Sequence, residues 1–213
     1  MPSEYDSLFT PSRTAEDDLE PVREYFRAAS RPFLRTPWSW FSWAVLLPAA
    51  ALATSGAFRT FGFAGVLFIW SGIILLGGGV EIFAIRRAAQ AEGHAGGNTP
   101  LAAWVLRVQG NLSLVAVALS ALLVWQDVSW ALPGIWLLLL GHSFYMLGGL
   151  AFPPFRTCGI LYQLGGLASL WPGGAPLLAF AMVTAIGNLW MGFSVWRGLS
   201  VKPDRGPGTS SSR

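Results

Sequence analysis

Between residues 38 and 197 the apolar positions gather into long blocks and the polar ones into narrow bands between them. An α-helix needs about 20 predominantly apolar residues to cross a hydrocarbon layer of ~30 Å at 1.5 Å per residue. Six blocks approach or exceed that length: 38–58, 61–85, 101–125, 130–152, 155–171 and 176–196. The pattern predicts an all-α membrane protein of six transmembrane helices arranged as three hairpins. Pro48 is expected to kink the first span, because it removes a backbone donor. The fifth span is the shortest and carries Gly159, Gly165 and Gly166.

The flanks differ in kind. Residues 1–37 are polar and charged and form a cytoplasmic N-terminal segment. Within it Thr14 and Asp17 make a capping-box start for a helix to about Ala29, and Leu19, Val22, Phe26 and Ala29 recur at helical spacing. Arg23, Arg27, Arg31 and Arg35 recur every fourth residue, although Pro32 interrupts the helix before the stripe is complete. Two readings of this amphipathic helix stand open: a solvated face packed on the ends of the spans, or a face laid on anionic lipid with its arginines at the phosphates. The acids Glu4, Asp6, Glu16, Asp17, Asp18 and Glu20 leave no early apolar run, so no cleavable signal is expected. The first span then serves as insertion signal. Residues 198–213 are rich in Gly, Pro and Ser and are expected to be disordered.

Composition strengthens the membrane reading, since 53% hydrophobic against 12% charged residues cannot cover a water-facing surface. The basic residues form no tract that would follow a phosphate backbone, so nucleic acid is not an expected partner. They cluster instead at one set of span ends: Arg13, Arg23, Arg27, Arg31, Arg35, Arg86, Arg87, Arg156, Arg197, Lys202, Arg205 and Arg213, with Arg59 alone opposite. The positive-inside rule then places both termini in the cytoplasm. Trp38, Trp40, Trp104 and Trp196 fall near the inner boundary and Trp125, Trp130 and Trp171 near the outer one. One cysteine, Cys158, rules out an intrachain disulfide and a cysteine-based zinc site.

Spans 2 and 4 share a glycine spacing, Gly65 to Gly72 and Gly134 to Gly141, which hints at a repeated hairpin. Over the last three spans the stretches LPGIWLLLLG (132–141), GGLAF (148–152), LGGLASL (164–170) and GNLWMGFSVWR (187–197), with Arg156 and Gly159, carry a resemblance. The chain resembles a group of small bacterial polytopic inner-membrane proteins often encoded beside PadR-type regulators. More loosely, it is similar to hairpin-repeat membrane proteins of the HdeD type. The resemblance implies a multi-pass protein of the bacterial inner (plasma) membrane and lends no mechanism. Those relatives often carry His where this chain has Trp190 or a neighbour.

Ionisable and amide groups inside a membrane are costly and each calls for an explanation. Glu81 and Arg107 can occupy matching depth, with Asn111 one helical turn beyond Arg107 on the same face, and two readings stand open: Arg107 snorkels to the inner headgroups while Glu81 is interfacial, or the two form an ion pair that Asn111 joins. His142 lies near the middle of span 4 beside Ser143 and Tyr145. It is the one candidate ligand for a pigment or haem, because the other histidine, His94, falls in a loop. Tyr162, Gln163 and Asn188 are expected to hydrogen-bond between helices.

No nucleophile with its base, carboxylate pair or metal cluster assembles in the sequence, so no enzyme, catalytic residue, metal or cofactor is expected. The functional expectation is a non-catalytic accessory or assembly subunit, or an envelope or stress component, with lipids, other subunits or further copies of itself as partners. The alternative is a small-solute or ion transporter lined by Glu81, Arg107, Asn111 and His142.

Overall fold

The computed structural model describes residues 36–91, 100–150 and 153–200. The N-terminal segment with Arg23, Arg27, Arg31 and Arg35, the loop holding His94 and the C-terminal tail lie outside the described residues. Among the described residues there are five α-helices, a short 3₁₀ turn and no strand: α1 (Pro37–Ala91), α2 (Pro100–Trp125), the turn Ser129–Ala131, α3 (Leu132–Leu150), α4 (Pro153–Ser169) and α5 (Pro176–Ser200). Four of the five begin on a proline. At a first helical position the missing N–H has no intrahelical partner to lose, and the fixed φ already suits the helix.

Four helical segments are long and apolar enough to cross a membrane: Pro37–Ala84, Arg107–Trp125, Ser129–Gly148 and Pro176–Gly198. The expected spans 1 and 2 thus belong to one helical element of 55 residues, and the expected span 5 is a helix of 17 residues. Pro48 lies inside α1 with helical backbone angles. The backbone of α1 leaves helical geometry at Gly62, whose φ of 61° and ψ of −151° suit a residue without a Cβ.

The break reverses the chain. Trp43 donates its indole N–H to the Glu81 carboxylate at 3.3 Å across 38 residues, a separation that a straight helix would stretch to ~57 Å. Trp70 likewise reaches back to the Thr54 hydroxyl at 3.1 Å, and the ring of Trp43 fills the space a side chain at Gly77 would need. The arms 37–61 and 63–91 therefore run antiparallel against each other.

The turn from α2 to α3 is closed by backbone capping. Val128 N–H bonds to the Leu123 carbonyl at 2.8 Å and Asp127 N–H to that of Val124 at 3.2 Å, while Asp127 takes φ 56°. This is the Schellman pattern with an acidic residue in the left-handed position, which Asp tolerates better than most. Between α4 and α5, Gly173 at φ 78° lies in a tight turn closed by the Gly174 N–H bond to the Trp171 carbonyl at 3.1 Å.

The tightest packing joins α3 to α4. Gly134, Gly141 and Gly148 recur every seventh residue along α3, and Gly159 and Gly166 do so along α4. A Cβ added to Gly141 would lie 2.8 Å from the Gly159 carbonyl oxygen. One added to Gly159 would lie 2.5 Å from the Tyr145 nitrogen, and one on Gly166 would lie 2.9 Å from the Gly134 oxygen. Backbone thus rests on backbone, the close approach that small residues permit where lipid offers no hydrophobic drive to associate. The glycine repeat suggested for spans 2 and 4 is not carried through, because Gly72 faces open space while Gly134 and Gly141 are packed.

A repeat does exist on other residues. Thr54 bonds to the Ala50 carbonyl at 2.7 Å and accepts from Trp70; Ser120 bonds to the Ala116 carbonyl at 2.7 Å and accepts from Trp136 at 3.0 Å. Both hydroxyl–indole pairs are separated by the same 16 residues across a chain reversal. α5 lies between α4 and α1, with Phe41 against Phe193 and Trp70 against Phe180, and the core collects Ala51, Leu137, Cys158, Tyr162, Phe180, Ala181 and Met191.

Candidate functional site

The most enclosed polar group of the bundle lies between α4 and α5. Asn188, 3% exposed, donates to the Tyr162 hydroxyl and to the Thr184 carbonyl, each at 2.8 Å, and Tyr162 is 1% exposed. Gly187 makes this possible, since a side chain there would collide with the Tyr162 ring. Thr184 turns its own hydroxyl back to the Phe180 carbonyl at 2.7 Å, and the Cys158 thiol points at the Gly187 carbonyl at 3.7 Å. Around them Phe144 packs edge-on to Tyr162, and Trp40 packs edge-on to Phe144 and Phe155. Each side-chain hydrogen bond in this cluster runs to a neighbouring helix or to the residue's own helix backbone. The arrangement fixes how α4 and α5 face each other.

Three smaller polar contacts tie the remaining elements. Gln109 of α2 donates to the buried Ser143 hydroxyl of α3 at 2.7 Å. Beside it lies a cavity of about 20 Å³ bounded by Gln109, Ser113, Ala116 and Trp136, room for one water-sized molecule. Arg156 of α4 donates to the Tyr145 hydroxyl of α3 at 2.9 Å, with its guanidinium 5.0 Å from the Tyr145 ring centre. Trp43 and Glu81 join the two arms of α1.

Of the two readings for Glu81 and Arg107, the geometry does not form the ion pair. Glu81 does not pair with Arg107: its carboxylate accepts from Trp43, Arg107 is exposed on α2, and no ion pair forms between them among the described residues. Matching depth is not enough, because the indole of Trp43 is supplied by the chain reversal at Gly62. Asn111 therefore has no such pair to join, and it stands exposed one turn from Arg107. His142 is also exposed, while its neighbour Ser143 is buried and engaged. Adjacent helical residues point about 100° apart, which separates the two.

Gln163 makes no side-chain hydrogen bond among the described residues; its backbone nitrogen and Cγ line the spot where Gly141 approaches. Gln109 and the Thr54–Trp70 and Ser120–Trp136 pairs were not singled out in the sequence. The recurrence of a hydroxyl and a tryptophan 16 residues apart was the legible signal. Among the described residues no group of three or more His, Cys, Asp or Glu side chains is placed to hold a metal ion.

No protein-family model matches the chain, no curated protein matches it, and no solved structure matches it.

Proposed function

We propose that the chain is a non-catalytic, polytopic protein of the bacterial inner membrane, an accessory or assembly subunit or an envelope component that acts through helix packing. It crosses the bilayer six times with both termini in the cytoplasm. The reversal at Gly62 supports two passes for α1, and α4, at 17 residues or ~26 Å, is flanked by α3 and α5 and needs little lipid-facing length of its own.

The observation that carries the functional reading is where the intramembrane polar groups are spent. Tyr162 with Asn188, Gln109 with Ser143, and Trp43 with Glu81 each tie one helical segment to another. Groups committed in this way hold a scaffold together and leave little to line a path for solute. No hydrogen bond or ion pair joins any two of Glu81, Arg107, Asn111 and His142 among the described residues, so the transport reading gains no support within one chain.

Reconstitution tests this directly. Liposomes holding the purified protein should keep a pH or potassium gradient as long as empty ones do, and reporters fused after Arg87 and at the C-terminus should read as cytoplasmic. Gradient loss that is cured by Glu81→Gln would replace the scaffold reading with a channel or carrier. A periplasmic reporter signal would remove the six-pass topology.

A further inference from the structure

α2 is built on two opposed faces. Gln109, Ala116 and Ser120 turn to α3: Gln109 bonds to Ser143, Ala116 is 1% exposed, and Ser120 accepts from Trp136. About 160° around the helix lie Arg107, Asn111, Leu114, Ala118, Ala121 and Trp125, all exposed. These six alternate at intervals of four and three, which are the a and d positions of a heptad seam with Asn111 at an a position.

Asn111 makes the seam more than an apolar stripe. It lies near the middle of the 26-residue helix, and its carboxamide forms no hydrogen bond among the described residues. An amide has two donors and an acceptor that lipid tails cannot satisfy, so a helix crossing the bilayer with that group facing outward is incomplete. Every copy of the chain inserts with one topology, so two copies related by an axis along the membrane normal place Asn111 against Asn111 at equal depth. The carboxamide is self-complementary there. Ala118 and Ala121 let the backbones approach on the side towards Trp125, whereas Arg107 opens the seam at the other end as its long stem carries the charge to the headgroups.

We propose that α2 is the interface of a parallel homodimer, two copies meeting along the Asn111–Leu114–Ala118–Ala121 seam with the Asn111 side chains hydrogen-bonded to each other across the two-fold axis. The proposal rests on α2 crossing the bilayer and not on the accessory-subunit reading, so dimerisation and solute flux are tested separately.

The full-length chain in native membranes provides the test. On a Cys158→Ser background, single cysteines at Leu114→Cys, Ala118→Cys and Ala121→Cys should form disulfide-linked dimers under mild oxidation several-fold more readily than the flanking Val115→Cys and Val117→Cys. Independently, with Cys158 intact, subunit counting by photobleaching in liposomes should show Asn111→Leu weakening the dimer roughly 3-fold to 20-fold, as expected for one intramembrane polar pair, with Asn111→Gln close to the parent. Equal cross-linking on all faces, or a monomer–dimer balance unmoved by Asn111→Leu, overturns the proposal. Cross-links that join the seam only to a different subunit overturn it as well, and would point to a partner carrying the complementary polar group.

Discussion

The segments Arg107–Trp125 and Pro176–Gly198 are both apolar enough to cross a membrane, yet within an apolar stretch of 18 residues in each, 6% of the first is buried against 44% of the second. The difference is not hydrophobicity. In lipid, apolar side chains gain nothing by leaving one hydrocarbon surface for another, so helices stay together through close backbone approach and hydrogen bonds. α5 has Gly187 under the Tyr162 ring, Gly192 under the Phe41 ring, and the Asn188 carboxamide. α2 has two side-chain bonds to α3, and its glycine, Gly110, faces open space. The same contrast separates α3 and α4, joined glycine to glycine, from the two arms of α1, joined by two indoles.

The glycine contacts offer the largest effect with which to break this comparison. Gly159→Ala puts a methyl 2.5 Å from the Tyr145 nitrogen and 2.7 Å from the Gly141 oxygen, and neither backbone atom can yield cheaply. We expect a loss of about 3 kcal/mol or more in detergent unfolding. Gly110→Ala, with nothing within 4 Å, should be neutral or stabilise by up to ~1 kcal/mol through helix propensity. Equal effects at the two sites would mean that α3 and α4 are not held by backbone contact.

The buried polar cluster comes next. Asn188→Leu removes both of its bonds and should cost about 1–2 kcal/mol, while Tyr162→Phe removes one and should cost about 0.6 kcal/mol. Because the two share a bond, the double variant should cost less than the sum of the singles in the same unfolding measurement. Strict additivity would show that the hydroxyl and the carboxamide do not depend on each other.

Gln109→Leu should leave global unfolding within about 0.6 kcal/mol of the parent, but raise hydrogen exchange along α2 specifically. Exchange that rises equally in α5 would erase the distinction between the two regions. The smallest effect belongs to the paired indoles. Trp70→Phe and Trp136→Phe should each cost roughly 0.5 kcal/mol, and by similar amounts, because each removes one bond to a hydroxyl across a reversal of the same length.

The membrane character and the apolar helices were readable from block length and charge distribution, because hydrocarbon thickness imposes a local requirement that a sliding count detects. The boundary between blocks 38–58 and 61–85 anticipated where α1 turns back, and the structure places the turn at Gly62, because left-handed φ selects glycine; that Pro37, Pro100 and Pro153 open helices was not read from the sequence.

Partnership was decided by the tertiary structure. Depth alone allowed Arg107 to pair with Glu81, but the fold-back of α1 brings Trp43 to that carboxylate. A glycine spacing in two spans looked alike in the sequence, yet Gly65, Gly134 and Gly141 meet another backbone while Gly72 meets nothing, since whether a small residue packs depends on which segment lies over it. The sequence by itself determined where the chain can lie in the membrane, because that is a property of each segment and the solvent around it. The three-dimensional arrangement alone decided which polar groups are spent within the chain and which, like Asn111, are left facing outward. Hydrogen bonds between helices depend on rotation about each helix axis, and composition does not set that rotation.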